Sequence, residues 1–153
     1  MKNLIFILII LLSALSCKSP IRDYTKSEID SILLYDFNDK PISIESLTSQ
    51  WNKRIQDNEE INAKIENLEI VSIIDNKTNK KILVLLGSTN RRSIKTATKL
   101  SKFKNGLKLS DITVTCKNCT SDLNIQLSNG NWNCVSDENE NNLCTKIETL
   151  RSE

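Results

Sequence analysis

Two apolar runs and the polar turn between them occupy residues 68–86, which read LEIVSIIDNKTNKKILVLL. The first run is rich in β-branched residues and residues 75–80 have the composition of a turn, so the stretch predicts a β-hairpin. Residues 82–86 are apolar at every position. A strand of this kind is covered on both faces, which predicts that it lies in the centre of a sheet.

Further strand signals follow this hairpin. Residues 94–100 alternate between lysine or alanine and larger apolar or β-branched residues, and Asn105 with Gly106 is typical of a tight turn. The apolar positions then change parity between residues 109 and 112, which predicts a bulge or break near Ser110 and Asp111. Residues 123–134 predict a third hairpin that turns at Asn129–Gly130.

One helix is predicted ahead of the strands, from Ser43 to about residue 57. Ile44, Leu47, Trp51 and Ile55 have the spacing of one apolar face, and Ser43 is a suitable N-cap. Trp51 lies in the middle of that face, which favours a core residue over a ligand platform. The predicted class is therefore α+β: an N-terminal amphipathic helix packed on an antiparallel β-meander, with a disulfide-stapled C-terminal hairpin.

The N-terminus has the three parts of a secretory signal. Residues 1–16 read MKNLIFILIILLSALS, with one lysine, an apolar run and small residues just ahead of Cys17. The apolar run is shorter than the ~20 residues that a membrane-spanning helix needs. The predicted organisation is a signal peptide (1–16), a tether (17–30) and a single domain (31–153) with a Cys-rich C-terminal segment (114–146). The apolar residues between positions 29 and 37 predict either a helical turn or an edge strand.

The segment that ends in Ala14-Leu15-Ser16-Cys17 resembles a bacterial lipoprotein signal with its lipobox, although Ala14 stands where leucine is usual. The resemblance implies that Cys17 becomes the mature N-terminus and carries acyl chains that hold the protein on a membrane. Lys18 stands where an aspartate would resemble an inner-membrane retention signal, which implies the outer membrane. Periplasmic and cell-surface orientations both stay open. Residues 114–146 contain four cysteines, the run Asn-Gly-Asn-Trp-Asn-Cys (129–134) and Cys144-Thr145-Lys146, and with these features they look like the tail of small uncharacterised Bacteroidetes-type lipoproteins.

Charge is unevenly distributed along the chain. Residues 76–108 hold ten basic residues and no acidic one, whereas the whole chain has a net charge of +2. Arg91, Arg92, Lys95 and Lys99 are the candidate residues for binding an acidic protein or an anionic envelope polymer. The alternative is that these side chains line the wet face of a strand. Aromatic residues are not interleaved with them, which argues against nucleic acid as the partner.

The composition excludes several kinds of chemistry. The chain has no histidine, which removes Ser-His-Asp and Cys-His catalysis and His-ligated zinc. Three glycines are too few for a glycine-rich phosphate loop. We therefore expect neither a cofactor nor a resident metal.

Four cysteines remain if Cys17 carries lipid, namely Cys116, Cys119, Cys134 and Cys144. An even number in an exported chain predicts two disulfides. If Asn129–Gly130 is a two-residue turn, the residue numbers of opposing strand positions sum to 259. Cys116 and Cys144 sum to 260 and nearly face each other, so we prefer this pairing and, by elimination, Cys119–Cys134. A redox pair at Cys116 and Cys119 and a four-cysteine zinc site are the alternatives.

Three classes of function follow from these observations. The first is a non-catalytic, lipid-anchored binding module of the cell envelope, including immunity or inhibitor proteins, and it is the reading that the sequence favours. The second is a thiol–disulfide redox protein that uses Cys116 and Cys119. The third is a glycan-active enzyme with a carboxylate pair drawn from Glu59, Glu60, Glu66 and Glu69.

Overall fold

The structure is a computed structural model that describes residues 23–119, 123–136 and 144–151; the expected signal segment and Cys17 lie outside these residues. The described part has one α-helix, α1 (Ile44–Lys53), which continues into a π-helical turn (Arg54–Asn58). Two 3-10 turns, Tyr24–Lys26 and Ile29–Ser31, come first. The strands are β1 (Leu34–Tyr35), β2 (Pro41–Ile42), β3 (Ile65–Ile74), β4 (Lys81–Thr89), β5 (Lys95–Phe103), β6 (Gly106–Lys117), β7 (Leu123–Ser128), β8 (Asn131–Ser136) and β9 (Thr145–Leu150).

Seven of these strands form the main sheet, in the order β2-β1-β6-β5-β4-β3, with β9 paired to the second half of β6. The β3–β4 and β5–β6 hairpins are present, and β4 lies between two strands as predicted. The sheet is mixed rather than purely antiparallel, because β1 pairs with β6 in parallel, with Leu34 opposite Leu107. The predicted antiparallel meander is therefore wrong in this strand.

Gly106 permits the close approach of the chain before β1 to β6. A Cβ atom at Gly106 would collide with the main-chain oxygen of Leu33, which accepts a hydrogen bond from the Leu107 amide at 2.9 Å. The turn of this hairpin is formed by Lys104 and Asn105, one residue earlier than the sequence signal suggested. The lack of a side chain at Gly106 is therefore needed for the contact with Leu33 rather than for the turn of the hairpin.

The predicted helix is present but is not the N-terminal element of the domain. Two 3-10 turns and the β1–β2 pair precede it, and Tyr24 is buried in the same core as Leu47 and Trp51. The residues expected to be a tether thus contribute to the core from Tyr24 onward. The Ser43 side chain accepts a hydrogen bond from the Ser46 amide at 3.2 Å, which confirms the predicted N-cap.

The main sheet is covered on both faces. One core joins α1 to residues such as Leu85 and Leu107, and a second core lies on the opposite face, around Val84, Val114 and Trp132. The β7–β8 hairpin supplies the cover of this second face as a separate two-stranded sheet. The molecule therefore has three layers: helix, main sheet and hairpin.

The predicted irregularity in β6 is confirmed at the expected place. Thr98 pairs with Thr113 and Leu100 with Leu109, so β6 has two more residues than β5 between these pairs. Two extra residues leave every side chain on its own face. The change of apolar parity in the sequence therefore marks a change of covering layer: Leu109 packs on the helix side, whereas Val114 packs under the hairpin.

Candidate anion-binding site

All four C-terminal cysteines form disulfides, as predicted, but the preferred pairing is wrong. Cys116 is bonded to Cys134 and Cys119 to Cys144. The register of the β7–β8 hairpin is the predicted one, with opposing positions that sum to 259. Cys116, however, lies on β6 in the main sheet, and its partner on β8 reaches it from the other layer. Register within one hairpin carries no information on a bond between two sheets.

This pairing bears on the two alternative uses of the cysteines. Cys116 and Cys119 are each bonded to a distant cysteine, whereas the oxidised form of a two-cysteine redox motif joins its own two members. In the described part of the chain, no group of three or more cysteine, aspartate or glutamate residues is placed to hold a metal ion.

The four basic residues predicted to bind an anion fall into two groups. Arg91 and Arg92 are exposed between β4 and β5. Lys95 and Lys99 share the face of β5 under the β7–β8 hairpin, and each ammonium group donates to a main-chain carbonyl of the hairpin segment, at 2.8 and 2.6 Å. The two lysines join the sheets, so they do not form one open patch with the arginines. Anion binding by these four residues stays a prediction.

A buried carboxylate also binds the tip of the β7–β8 hairpin. Asp75, 1% exposed, accepts hydrogen bonds from the amides of Lys77 and Thr78 in its own turn and from those of Asn129 and Gly130 at the hairpin tip. The bond from the Gly130 amide is the largest of the causes that hold the pKa of Asp75 well below its usual value. Asp75 therefore links the β3–β4 turn to the β7–β8 turn as an anion.

This linkage predicts a stability that falls in acid. Because the folded-state pKa of Asp75 lies below its unfolded-state value of 3.8, its contribution is complete above that value and is lost as the pH falls below it. Asp75→Asn should lower Tm by about 5 °C or more at pH 7, since the new amide nitrogen would face the Gly130 amide. The Tm difference from wild type should shrink between roughly pH 4 and pH 2.

Thermal unfolding followed by circular dichroism at neutral and acid pH checks this expectation. Asp57→Asn, at an exposed carboxylate, makes the same change of net charge and should stay close to wild type at both pH values. A constant Tm difference between Asp75→Asn and wild type across the acid range would contradict the assignment.

The most unusual buried group is Arg54, 7% exposed, at the junction of α1 and the π-helical turn. Its Nη2 donates to Thr96 Oγ1 at 2.7 Å, and its Nε lies 3.4 Å from Oε1 of the buried Glu59. Burial lowers the pKa of Arg54 to about 10, against the opposing effect of Glu59, so the guanidinium stays charged at neutral pH. Thr149 on β9 donates to the same Glu59 oxygen at 2.9 Å.

Two further side chains lie beside this guanidinium. Both Arg54 and Arg151 lie against the ring of Trp51, with guanidinium carbons 5.4 and 6.0 Å from the ring centroid. Burial also lowers the pKa of Arg151, and the charge of Asp36 works against that effect. Trp51 itself is fully packed, as predicted for a core residue, and its ring lies close to Gly87, where a Cβ would be 3.1 Å away.

These groups line a cavity of about 260 Å³ whose wall includes Gln50, Trp51, Arg54, Asn58, Leu150 and Arg151. Four nitrogens of these lining residues are buried and have no hydrogen-bond partner among the described residues: Arg54 Nε and Nη1, Trp51 Nε1 and Arg151 Nη2. Of these, Arg54 Nε faces Glu59 in the ion pair, and Oε2 of that glutamate also lacks a hydrogen-bond partner. A buried donor without a partner costs about 1–3 kcal/mol, and more when it is charged. A ligand with acceptor oxygens would relieve that cost, so the arrangement suits an anion.

A larger depression of about 640 Å³ lies at the β6 bulge and is less suited to a ligand. Its cationic groups, Lys99 and Lys108, already have partners: Lys99 donates to a carbonyl and Lys108 forms an ion pair with Asp39. The structure also shows the surroundings of two carboxylates considered for a glycan-active enzyme. Glu59 is taken up by Arg54, and Glu60 is exposed.

The sequence interpretation missed Arg54 and Arg151. Arg54 had a usable signal, because it lies between Trp51 and Ile55 on the apolar face of the predicted helix, where a charged residue must find a buried partner. Arg151 carries no comparable signal, since its position beside Trp51 depends on the pairing of β9 with β6.

Comparisons with protein-family models, with curated proteins and with solved structures found no match to this chain. Within the described residues, no helix has the length and apolar character needed to cross a bilayer. Function therefore has to be inferred from the chain itself.

Proposed function

We propose that this protein is a lipid-anchored, non-catalytic binding module of the cell envelope that holds an anionic group in the Arg54–Arg151 cavity. The observation that carries the binding role is the group of buried nitrogens without hydrogen-bond partners on residues that line one cavity. The anchor rests on the lipoprotein-like residues 1–17, and mass spectrometry of the native N-terminal peptide checks the acylation of Cys17, which an unmodified cysteine would contradict.

Both elements that bear the arginines are held firmly in place. Arg54 is fixed by Thr96, whose own hydroxyl donates to the Val114 carbonyl of β6 at 2.9 Å. The Arg151 amide donates to the Asp111 carbonyl at 2.9 Å, which ties the end of β9 to the β6 bulge. A preorganised set of donors binds with a smaller loss of conformational entropy, which is what a binding module requires.

The test is direct binding of two small probes, D-galacturonate and inorganic phosphate, by isothermal titration calorimetry. We expect at least one probe to bind and Arg151→Gln to weaken it by about tenfold or more, because a charge-assisted donor is lost. Arg91→Gln with Arg92→Gln removes two exposed arginines outside the cavity and is the matched control.

The two sets of variants separate the cavity from the surface residues predicted first. If the Arg91 and Arg92 double variant loses binding while Arg151→Gln keeps it, the anion is held by the exposed loop and the cavity proposal is wrong. If neither probe binds wild-type protein at millimolar concentration, the binding role proposed for the cavity is wrong as well.

A further inference from the structure

The charges around the cavity limit the kind of anion that it can hold, and this step rests on the function proposed above. Glu59 faces Arg54 at 3.4 Å, and Asp36 is the anionic group that acts on Arg151. Two cations are thus opposed by two carboxylates. These four groups have no net charge before a ligand enters. A monoanion then adds one uncompensated charge and a dianion adds two, and an excess buried charge is strongly unfavourable, so the site favours the monoanion.

The free donors are single nitrogens from three different side chains. Nη1 of Arg54 has no partner, whereas Nη2 donates one of its two N–H groups to Thr96 and Nε faces Glu59. Arg151 Nη2 and Trp51 Nε1 complete the set. One N–H group from each of these three nitrogens fits within the roughly four lone-pair sites of one carboxylate.

The remaining wall sets the size and polarity of the rest of the ligand. A volume of about 260 Å³ lies below the roughly 300–1,000 Å³ of clefts that hold drug-sized molecules. Gln50 and Asn58 provide amide groups, while Phe37 and Leu150 provide apolar surface. A compact molecule with hydroxyl or amide groups next to an apolar face matches this wall.

We infer that the Arg54–Arg151 cavity selects a small monocarboxylate with hydrogen-bonding substituents, such as a sugar acid or an N-acylated amino acid, over a dianionic phosphate. Two chemical sources share this description, and D-galacturonate and N-acetyl-L-alanine represent them. Galactose, which lacks the carboxylate, is the neutral control.

Calorimetric titration of wild-type protein at mildly alkaline pH should rank one or both carboxylates roughly tenfold above inorganic phosphate, with galactose not detectably bound. Asp36→Asn removes one negative charge and keeps the Oδ1 atom that accepts from the Asn38 and Lys40 amides. The Asp36→Asn variant should therefore bind phosphate more tightly than wild type does, which lowers the ratio of carboxylate affinity to phosphate affinity. The relative affinities of D-galacturonate and N-acetyl-L-alanine for the wild-type protein show whether the ligand is a sugar acid or an N-acylated amino acid.

Phosphate that binds as tightly as the carboxylates, or an Asp36→Asn variant that leaves the ratio unchanged, would overturn the selectivity and leave the binding site itself intact. Equal binding of galactose and galacturonate would also overturn it, because the carboxylate would then contribute nothing. Loss of all binding to wild type would instead contradict the proposed function.

Discussion

Arg54→Met should lower the free energy of unfolding by about 3–5 kcal/mol, because the change leaves the buried Glu59 without its cation. Thr96 would also lose the donor that binds its hydroxyl at 2.7 Å. Urea unfolding followed by circular dichroism measures the loss. Glu59→Gln, which removes the opposite charge, should destabilise the protein by a comparable amount.

The double variant Arg54→Met with Glu59→Leu tests the cause of this loss. Replacing a buried ion pair by apolar residues of similar volume is often close to neutral, so the double variant should recover most of the stability. Arg92→Met, at an exposed arginine, is the control and should change stability by less than about 0.5 kcal/mol. If the two single losses simply add in the double variant, the pair is not coupled and the expectation fails.

Removing the bridge between the two sheets should have the second large effect. Cys116→Ala with Cys134→Ala opens a loop with a sequence separation of 18, which lowers stability by about 3 kcal/mol in the loop-entropy account. Cys116 is also fully buried, so its truncation leaves unfilled space in the core under the hairpin. Chemical denaturation of the oxidised protein measures the difference.

The matched control is Cys119→Ala with Cys144→Ala, which opens a loop of similar length, with a sequence separation of 25. Loop entropy is then about equal for the two bridges, so the larger loss at Cys116–Cys134 isolates the packing contribution. Peptide mapping of unreduced protein should show the two pairs that the structure contains. Recovery of a Cys116–Cys144 peptide would contradict the pairing.

Features that depend on a few neighbouring residues were predictable from the sequence. The cap at Ser43, the turn at Asn129–Gly130 and the hairpin of β3 with β4 are all at their expected positions. Each is set by local backbone preferences and side-chain periodicity, which a short window of sequence contains. The irregularity in β6 is also at the predicted place, although the change of apolar parity that suggested it reflects the change of covering layer.

Features that depend on contacts between distant segments were not predictable. The parallel pairing of β1 with β6 places Leu34 opposite Leu107. β1 has two residues, which is too few for a sequence pattern to indicate its partner strand. The third layer was missed for a similar reason, since a hairpin with a good register says nothing of the surface it covers. The candidate site was not predictable for the same reason, because Arg54 and Arg151 are brought to the Trp51 ring by tertiary packing.

The position of β6 has a consequence for the order in which the chain can fold. Leu34 pairs locally with Ile42 of β2, but β1 joins the rest of the main sheet only through Leu107 of β6. The second half of β6 in turn pairs with β9, which ends at Leu150. Chain that emerges from a ribosome N-terminus first therefore cannot complete the sheet until residue 150 is present. Such non-local closure slows folding, because the entropy cost of closing long loops comes before the contacts that repay it.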